Sequence, residues 1–303
     1  MFTEMLASPL MQLALFAAVL VGLAAPVVVT YLVQRGLALR GDGIGHVSLT
    51  GVALGWLVGA WLGVSPADAL AVPGAIVASL AGALLIELIR QAGHTRGDVA
   101  LAILFYGGIA GGVILIKFAG GTTTNLNSYL FGSIATVSEN DVRTTAVLAL
   151  LILAVGIGLR GPLFALCHDE EFARACGLPV GVLNILVAVV SALTVSFSMR
   201  VVGVLLVSAV MIVAVAIAQL VSHSFGRTMN LDMVLGVCAC LAGLFITYAV
   251  AVSPGAMIVC LLVATYALTA VLTWGAKRVF KRKDLEDERL VDGRLPEVEA
   301  SRG

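Results

Sequence analysis

Apolar runs about the length of a bilayer crossing, separated by short polar breaks, account for most of this chain. They fall at about 9–33, 42–63, 68–89, 99–117, 142–160, 180–197, 201–221, 231–252 and 255–275. A helix needs about 20 consecutive apolar residues to cross the hydrocarbon of a bilayer. The pattern therefore predicts an all-α, polytopic integral membrane protein with eight or nine spans. The count is open at one place. From Val180 to Val221 only Ser196, Ser198 and Arg200 interrupt the run, so it reads as two spans or as one span with a re-entrant helix.

Composition sharpens this picture. Hydrophobic residues make up 60% of the 303 positions, charged residues 12%, and the mean hydropathy is +1.07. A soluble domain carries about 25% charged residues to wet its surface, so a soluble enzyme is excluded. Net charge is zero and gives no reason to expect nucleic acid as a partner. The five cysteines sit in apolar runs or flank a charged loop and do not form a disulfide framework. The first apolar run has no basic segment before it and continues to Val33, too long for a cleaved leader. It is expected to be the first span.

Basic residues set the expected orientation, because they collect on the cytoplasmic side. With the cluster Lys277, Arg278, Lys281, Arg282 and Lys283 inside, nine alternating spans also place Arg35, Arg40, Arg90, Arg96, Arg160, Arg174 and Arg227 inside. Lys117, Arg143 and Arg200 then lie outside. The C-terminus is expected in the cytoplasm and the N-terminus outside. Residues 1–278 form the membrane domain, and 279–303 a charged cytoplasmic tail expected to be disordered.

Two segments between spans carry more than connection. Residues 118–141, on the expected outer side, begin Thr/Asn/Gly-rich and include a short apolar piece, Tyr129–Ile134. This piece suggests a helix lying at the interface or dipping into a cavity, where irregular backbone is shielded by protein or water. On the inner side HDEEFARACGLP reads as a short helix over about 168–178. Acids fill its first turn, Phe172, Ala173 and Cys176 recur at helical spacing, and Gly177 and Pro179 end it. It either docks on a partner or is a solvated connector.

Ionisable residues inside spans are costly, so each is a functional candidate. In GDGIGHVSLTG, Asp42 and His46 are four apart and share a helix face. A carboxylate oxygen and an imidazole nitrogen so placed can ligate a divalent first-row metal. Gly41, Gly43, Gly45 and Gly51 leave room for a close helix or an ion. The competing reading makes Asp42 a helix N-cap, with His46 hydrogen-bonded to a neighbour. Cys238 and Cys240 are splayed by their spacing, Glu87 pairs locally with Arg90, and His94, His168 and His223 read as solvated. Met211, Met229, Met233 and Met257 read as packing residues. No phosphate-binding G-x-x-x-x-G-K-[ST] occurs, nor H-E-x-x-H or G-x-S-x-G. The chain is expected to be no enzyme and to hold no permanent cofactor.

In order along the chain, GDGIGHVSLTGVALGWLVG (41–59), YLFGSIATVSENDV (129–142), DEEFARACGLPV (169–180), VVGVLLVSAVMIV (201–213) and SPGAMIV (253–259) resemble the membrane permease subunits of bacterial ABC importers for zinc, manganese or iron. The resemblance spans about residues 10–275. It implies a type II importer-like permease of eight or nine helices, acting as a homodimer in the bacterial inner membrane. Two ATPase subunits would sit below it and an extracytoplasmic metal-binding protein above. It further implies that Asp42 and His46 line the path of a transported zinc, manganese or iron ion. Asp169, Glu170, Glu171, Ala173, Arg174 and Gly177 would belong to the helix that couples to the ATPase. Two departures stand out. Gly45 and Thr50 replace the family's Ser and Pro, predicting a straighter second helix, and 213–218 (VAVAIA) lacks the expected proline-containing step. Two other functions fit the same pattern: an ABC permease for a metal chelate or cobalamin-like ligand, and an ion-coupled transporter acting alone.

Overall fold

With no water in a bilayer core, an apolar segment must satisfy its own amides, so each run closes into a helix. In the computed structural model, residues 8–64, 67–92, 97–120, 123–133, 138–222, 224–250 and 252–292 are described. They form α1 (Pro9–Gln34), α2 (Ala38–Trp61), a 3-10 turn (Ala67–Leu70), α3 (Ala71–Ala92), α4 (Gly97–Phe118), α5 (Thr123–Phe131) and α6 (Glu139–Gly158). There follow α7 (Arg160–His168), α8 (Glu170–Ala175), α9 (Val180–Val202), α10 (Val204–Val221), α11 (Phe225–Val250) and α12 (Pro254–Asp292). Among the described residues eight helices are long and apolar enough to cross a membrane, and α10 is the shorter ninth.

The run from Val180 to Val221 divides at one residue. Gly203 has φ +88° and ψ 150°, a region essentially reserved for glycine, and there the chain breaks into α9 and α10. A side chain at Gly203 would run into the backbone of Leu130, Phe131 and Gly132, so the end of α5 is wedged against this break. The outer segment is thus helical earlier than expected. α5 covers Thr123–Phe131 and stops at Gly132 (φ +75°), whereas the expected apolar helix ran from Tyr129 to Ile134; Ile134 lies outside the described residues.

One further expectation changes. Residues 161–179 hold two helices instead of one, because α7 occupies Arg160–His168 before Asp169 caps α8. At the other end of the chain, α12 continues to Asp292. The sequence favours that continuation: Arg282 and Glu286, then Lys283 and Asp287, stand four apart with opposite charge. Residues 293–303 lie outside the described residues.

α2 is the hub. It packs on α3 and α4 along most of its length and also meets α9 and α10. Gly51 and Gly55 of α2 lie backbone-to-backbone against Gly74 of α3, the small-residue contact that lets helices approach without a hydrophobic driving force. Thr50 Oγ1 donates to the Gly108 carbonyl of α4 at 2.7 Å. With Thr in place of proline, α2 runs unbroken from Ala38 to Trp61. On the other side, Gly22 of α1 and Gly236 of α11 make a second close crossing.

Candidate metal path

Asp42 and His46 are brought together on one face of α2, as their spacing predicts. His46 Nε2 stands 3.6 Å from Asp42 Oδ1, with the His46 side chain 2% exposed and the Asp42 side chain 25% exposed. That distance is too long for a hydrogen bond, so the two groups face each other unjoined. Asp42 is not an N-cap. The cap position of α2 is Leu37, and no side chain bonds there.

The carboxylate is instead held by Ser208 of α10, whose hydroxyl donates to Asp42 Oδ1 at 2.6 Å. Ser208 lies one turn beyond the Gly203 break, which places that break beside the polar pair. Val204 and Val195 pass Gly45 at ordinary van der Waals distance from where its side chain would be.

Burial of His46 comes chiefly from α4. The Phe105 ring meets the imidazole edge-on, with centroids 4.1 Å apart and planes at 68°. A side chain at Gly108 would collide with the His46 backbone, so only glycine allows α4 to lie this close. His46 Nδ1 is buried and has no hydrogen-bond partner among the described residues. A buried imidazole normally satisfies both nitrogens; here Nδ1 leaves a donor or a lone pair unused, while Nε2 is the nitrogen that faces the Asp42 carboxylate.

Such an arrangement can offer a cation one imidazole nitrogen and one carboxylate oxygen, with the Ser208 hydroxyl alongside. Among the described residues no three His, Cys, Asp or Glu side chains gather closely enough to hold a metal. A resident structural ion takes four protein ligands, whereas a site with fewer leaves positions for water.

The packing glycines divide. Gly51 is required by the close approach of α3, Gly45 has ordinary contact, and Gly41 faces open space. Gly43 is filled by the Leu101 side chain of α4.

The segment expected to couple to an ATPase is also built. Asp169 N-caps α8, its Oδ1 accepting from the backbone of Glu171 and Phe172 at 2.9 Å each. Gly177 ends the helix with φ +78°. Ala173 is fully buried, while Phe172 is 60% exposed and Cys176 is exposed; the three do not share one buried face. Glu170 turns inward to Arg35 and Asn184, and Arg174 reaches back to Glu170 at 3.6 Å. In α7, burial pushes the Cys167 thiol up to about 11, with Arg35 drawing it back down.

Several polar residues were not singled out by the sequence pattern. Ser208, Phe105 and Gly108 come from helices remote in the chain and carry no local signal. Asp232 does carry one, an acid inside the apolar run of α11. It is fully buried and accepts from Thr30 Oγ1 at 3.1 Å, on the α1–α11 side and apart from the Asp42 pair. Cys238 and Cys240 are splayed as expected, exposed and buried respectively.

The model of the ABC 3 transport family matches residues 7–273. The chain is 31% identical to the manganese transport system membrane protein MntC of Halalkalibacterium halodurans over 286 residues, 91% of this chain and 95% of that protein. It is 30% identical to the chelated iron transport system membrane protein YfeD of Yersinia pestis, covering 93% of this chain and 92% of that one. Among solved structures, PsaBC from Streptococcus pneumoniae in complex with Fab aligns with a TM-score of 0.77 and 31% identity, over 89% of this chain and 95% of that one. With its eight candidate spans and a family match over nearly its whole length, this chain belongs to the ABC 3 transport family, as a multi-pass membrane permease of the metal-ion ABC importer type.

Proposed function

We propose that the chain forms the translocation path for a free divalent first-row metal ion, manganese first and zinc or iron next, in a bacterial inner-membrane importer. The observation that carries this reading is the pair on α2: a carboxylate held by Ser208, and a buried imidazole whose Nε2 faces it at 3.6 Å without a hydrogen bond between them. The names of the relatives, manganese for MntC and chelated iron for YfeD, support the metal class. Carboxylate with imidazole suits manganese, iron and zinc alike, and two protein ligands hold an ion loosely enough to release it.

In this reading the chain hydrolyses nothing and binds no permanent cofactor. ATP is spent by two ATPase subunits on the cytoplasmic side, where the C-terminus lies. Two copies of this chain stand together, and an extracytoplasmic metal-binding protein delivers the ion. Asp169, Glu170, Glu171, Ala173, Arg174 and Gly177 build the ATPase-docking helix. Its exposed Phe172, apolar and outside any span, supplies an anchor for that partner.

The YfeD name favours one competitor, a path for chelated metal. Reconstituting the chain with its ATPase and binding protein in proteoliposomes separates the possibilities, with free manganese, free zinc and chelated iron offered in turn. ATP-dependent uptake of a free ion is expected. Uptake of the chelate alone contradicts the proposal, as does ion-gradient-driven uptake by the chain without an ATPase.

A further inference from the structure

Glu170, the first residue of α8, uses both carboxylate oxygens. Oε2 accepts from Arg35 Nη2 at 3.2 Å, and Oε1 accepts from Asn184 Nδ2 at 3.3 Å. Arg35 Nη1 closes the ring by donating to Asn184 Oδ1 at 2.8 Å. Each of the three side chains is therefore bonded to the other two. The Arg35 side chain is 10% exposed, that of Glu170 30%, and Asn184 4%.

Stability alone does not account for this ring. Desolvating a guanidinium and a carboxylate offsets much of their attraction, so a shielded ion pair is weak ground for a stabilising role. What the ring does is fix geometry among three elements remote in the chain. Arg35 is the C-cap residue of α1, Asn184 lies in the second turn of α9, and Glu170 opens α8. A planar guanidinium that donates from two nitrogens to two different partners adds directional hold that a lysine would not provide.

The position of Arg35 gives the ring its consequence. After it the chain turns through Gly36 (φ +68°) and Leu37 directly into α2, and within two helical turns reaches Asp42. A small cavity lined by Arg35, Leu37, Ile44, Glu87 and Asn184 lies beside this turn. Asn184 lies near the start of α9, whose far end is the Gly203 break.

We propose that the Arg35–Asn184–Glu170 ring is the joint through which movement of α8 reaches the metal path, displacing the base of α2 and the α9–α10 break together. Glu170 is a positioning residue: it touches no ion and acts through Arg35 and Asn184. This inference rests on α8 being the ATPase-docking helix. Arg174, which reaches Glu170 from the water side with its side chain 72% exposed, contributes little, as exposed pairs do.

The test measures ATP hydrolysis and metal uptake side by side in the full reconstituted complex. With E170Q, metal moved per ATP is expected to fall about tenfold, the size of a typical coupling energy between sites. N184A keeps both charges and is expected to lower the same ratio, which carries the test if E170Q does not assemble. The exchange R35E/E170R is expected to recover most of the ratio, because the amide of Asn184 can reverse to serve the swapped charges. An unchanged ratio in E170Q and N184A overturns the joint, as does a parallel fall in hydrolysis and uptake that the exchange does not restore. A wild-type complex without ATP-dependent uptake would instead overturn the importer reading itself.

Discussion

At the scale of single residues, the proposed path is a carboxylate and an imidazole whose partners come from elsewhere in the chain. Their pairing was legible in the sequence, because positions four apart in a helix share a face. Ser208, Phe105 and Gly108 were not, since nothing local tells which helix packs against which. The N-cap reading of Asp42 failed for a similar reason: it needed the start of α2, which lies at Ala38, a turn before the apolar run begins. Ser208 donates a charge-assisted hydrogen bond, and such bonds are worth about 1.5–3 kcal/mol. S208A should raise the KM for metal in ATP-driven uptake by about tenfold or more, since about 1.4 kcal/mol is a factor of ten. S208T, which keeps the hydroxyl, should stay near wild type. F105A should deepen water access to His46 and weaken uptake without dissolving the fold, measured as uptake against the thermal midpoint of the detergent-purified complex.

At the scale of elements, long apolar periods named nearly every helix, and the misses lie at breaks and ends. The run from Val180 to Val221, interrupted only by Ser196, Ser198 and Arg200, does not say that the break falls at Gly203, where α5 is lodged against the backbone. G203A must hold a side chain both in a glycine-only conformation and in that contact. Strain of this kind costs about 1–3 kcal/mol, so a thermal midpoint lowered by several degrees is expected. In α8 two neighbours separate seating from docking. A173L overfills a fully buried site, and overpacking costs about 1–3 kcal/mol, so it should lower the thermal midpoint. F172A removes an exposed ring and should leave that midpoint unchanged while reducing co-purification of the ATPase. Equal effects of the two on stability would contradict the assignment of faces.

At the scale of the whole molecule, the bundle is a scaffold that gathers Asp42 and His46 of α2 with Ser208 of α10, and the proposed joint ties that group to α8. Low charge and high hydropathy announced the scaffold; the ring joining Arg35, Asn184 and Glu170 was silent in the sequence, because its members lie on three separate elements. Orientation is checked with a variant whose only cysteine is Cys176, the exposed thiol after α8. A membrane-impermeant maleimide should label it in inside-out vesicles and not in right-side-out ones. A Cys167-only variant should label slowly near neutral pH and faster as pH climbs towards about 11, because only the thiolate reacts. The central claim, that Asp42 and His46 form the ion's path in an ATP-driven importer, is tested most directly by manganese uptake in proteoliposomes holding the complete complex with D42A or H46A. Losing either ligand of a two-ligand site should reduce ATP-dependent uptake at least about tenfold, with the complex still assembled and still hydrolysing ATP. Wild-type uptake by both variants would contradict it.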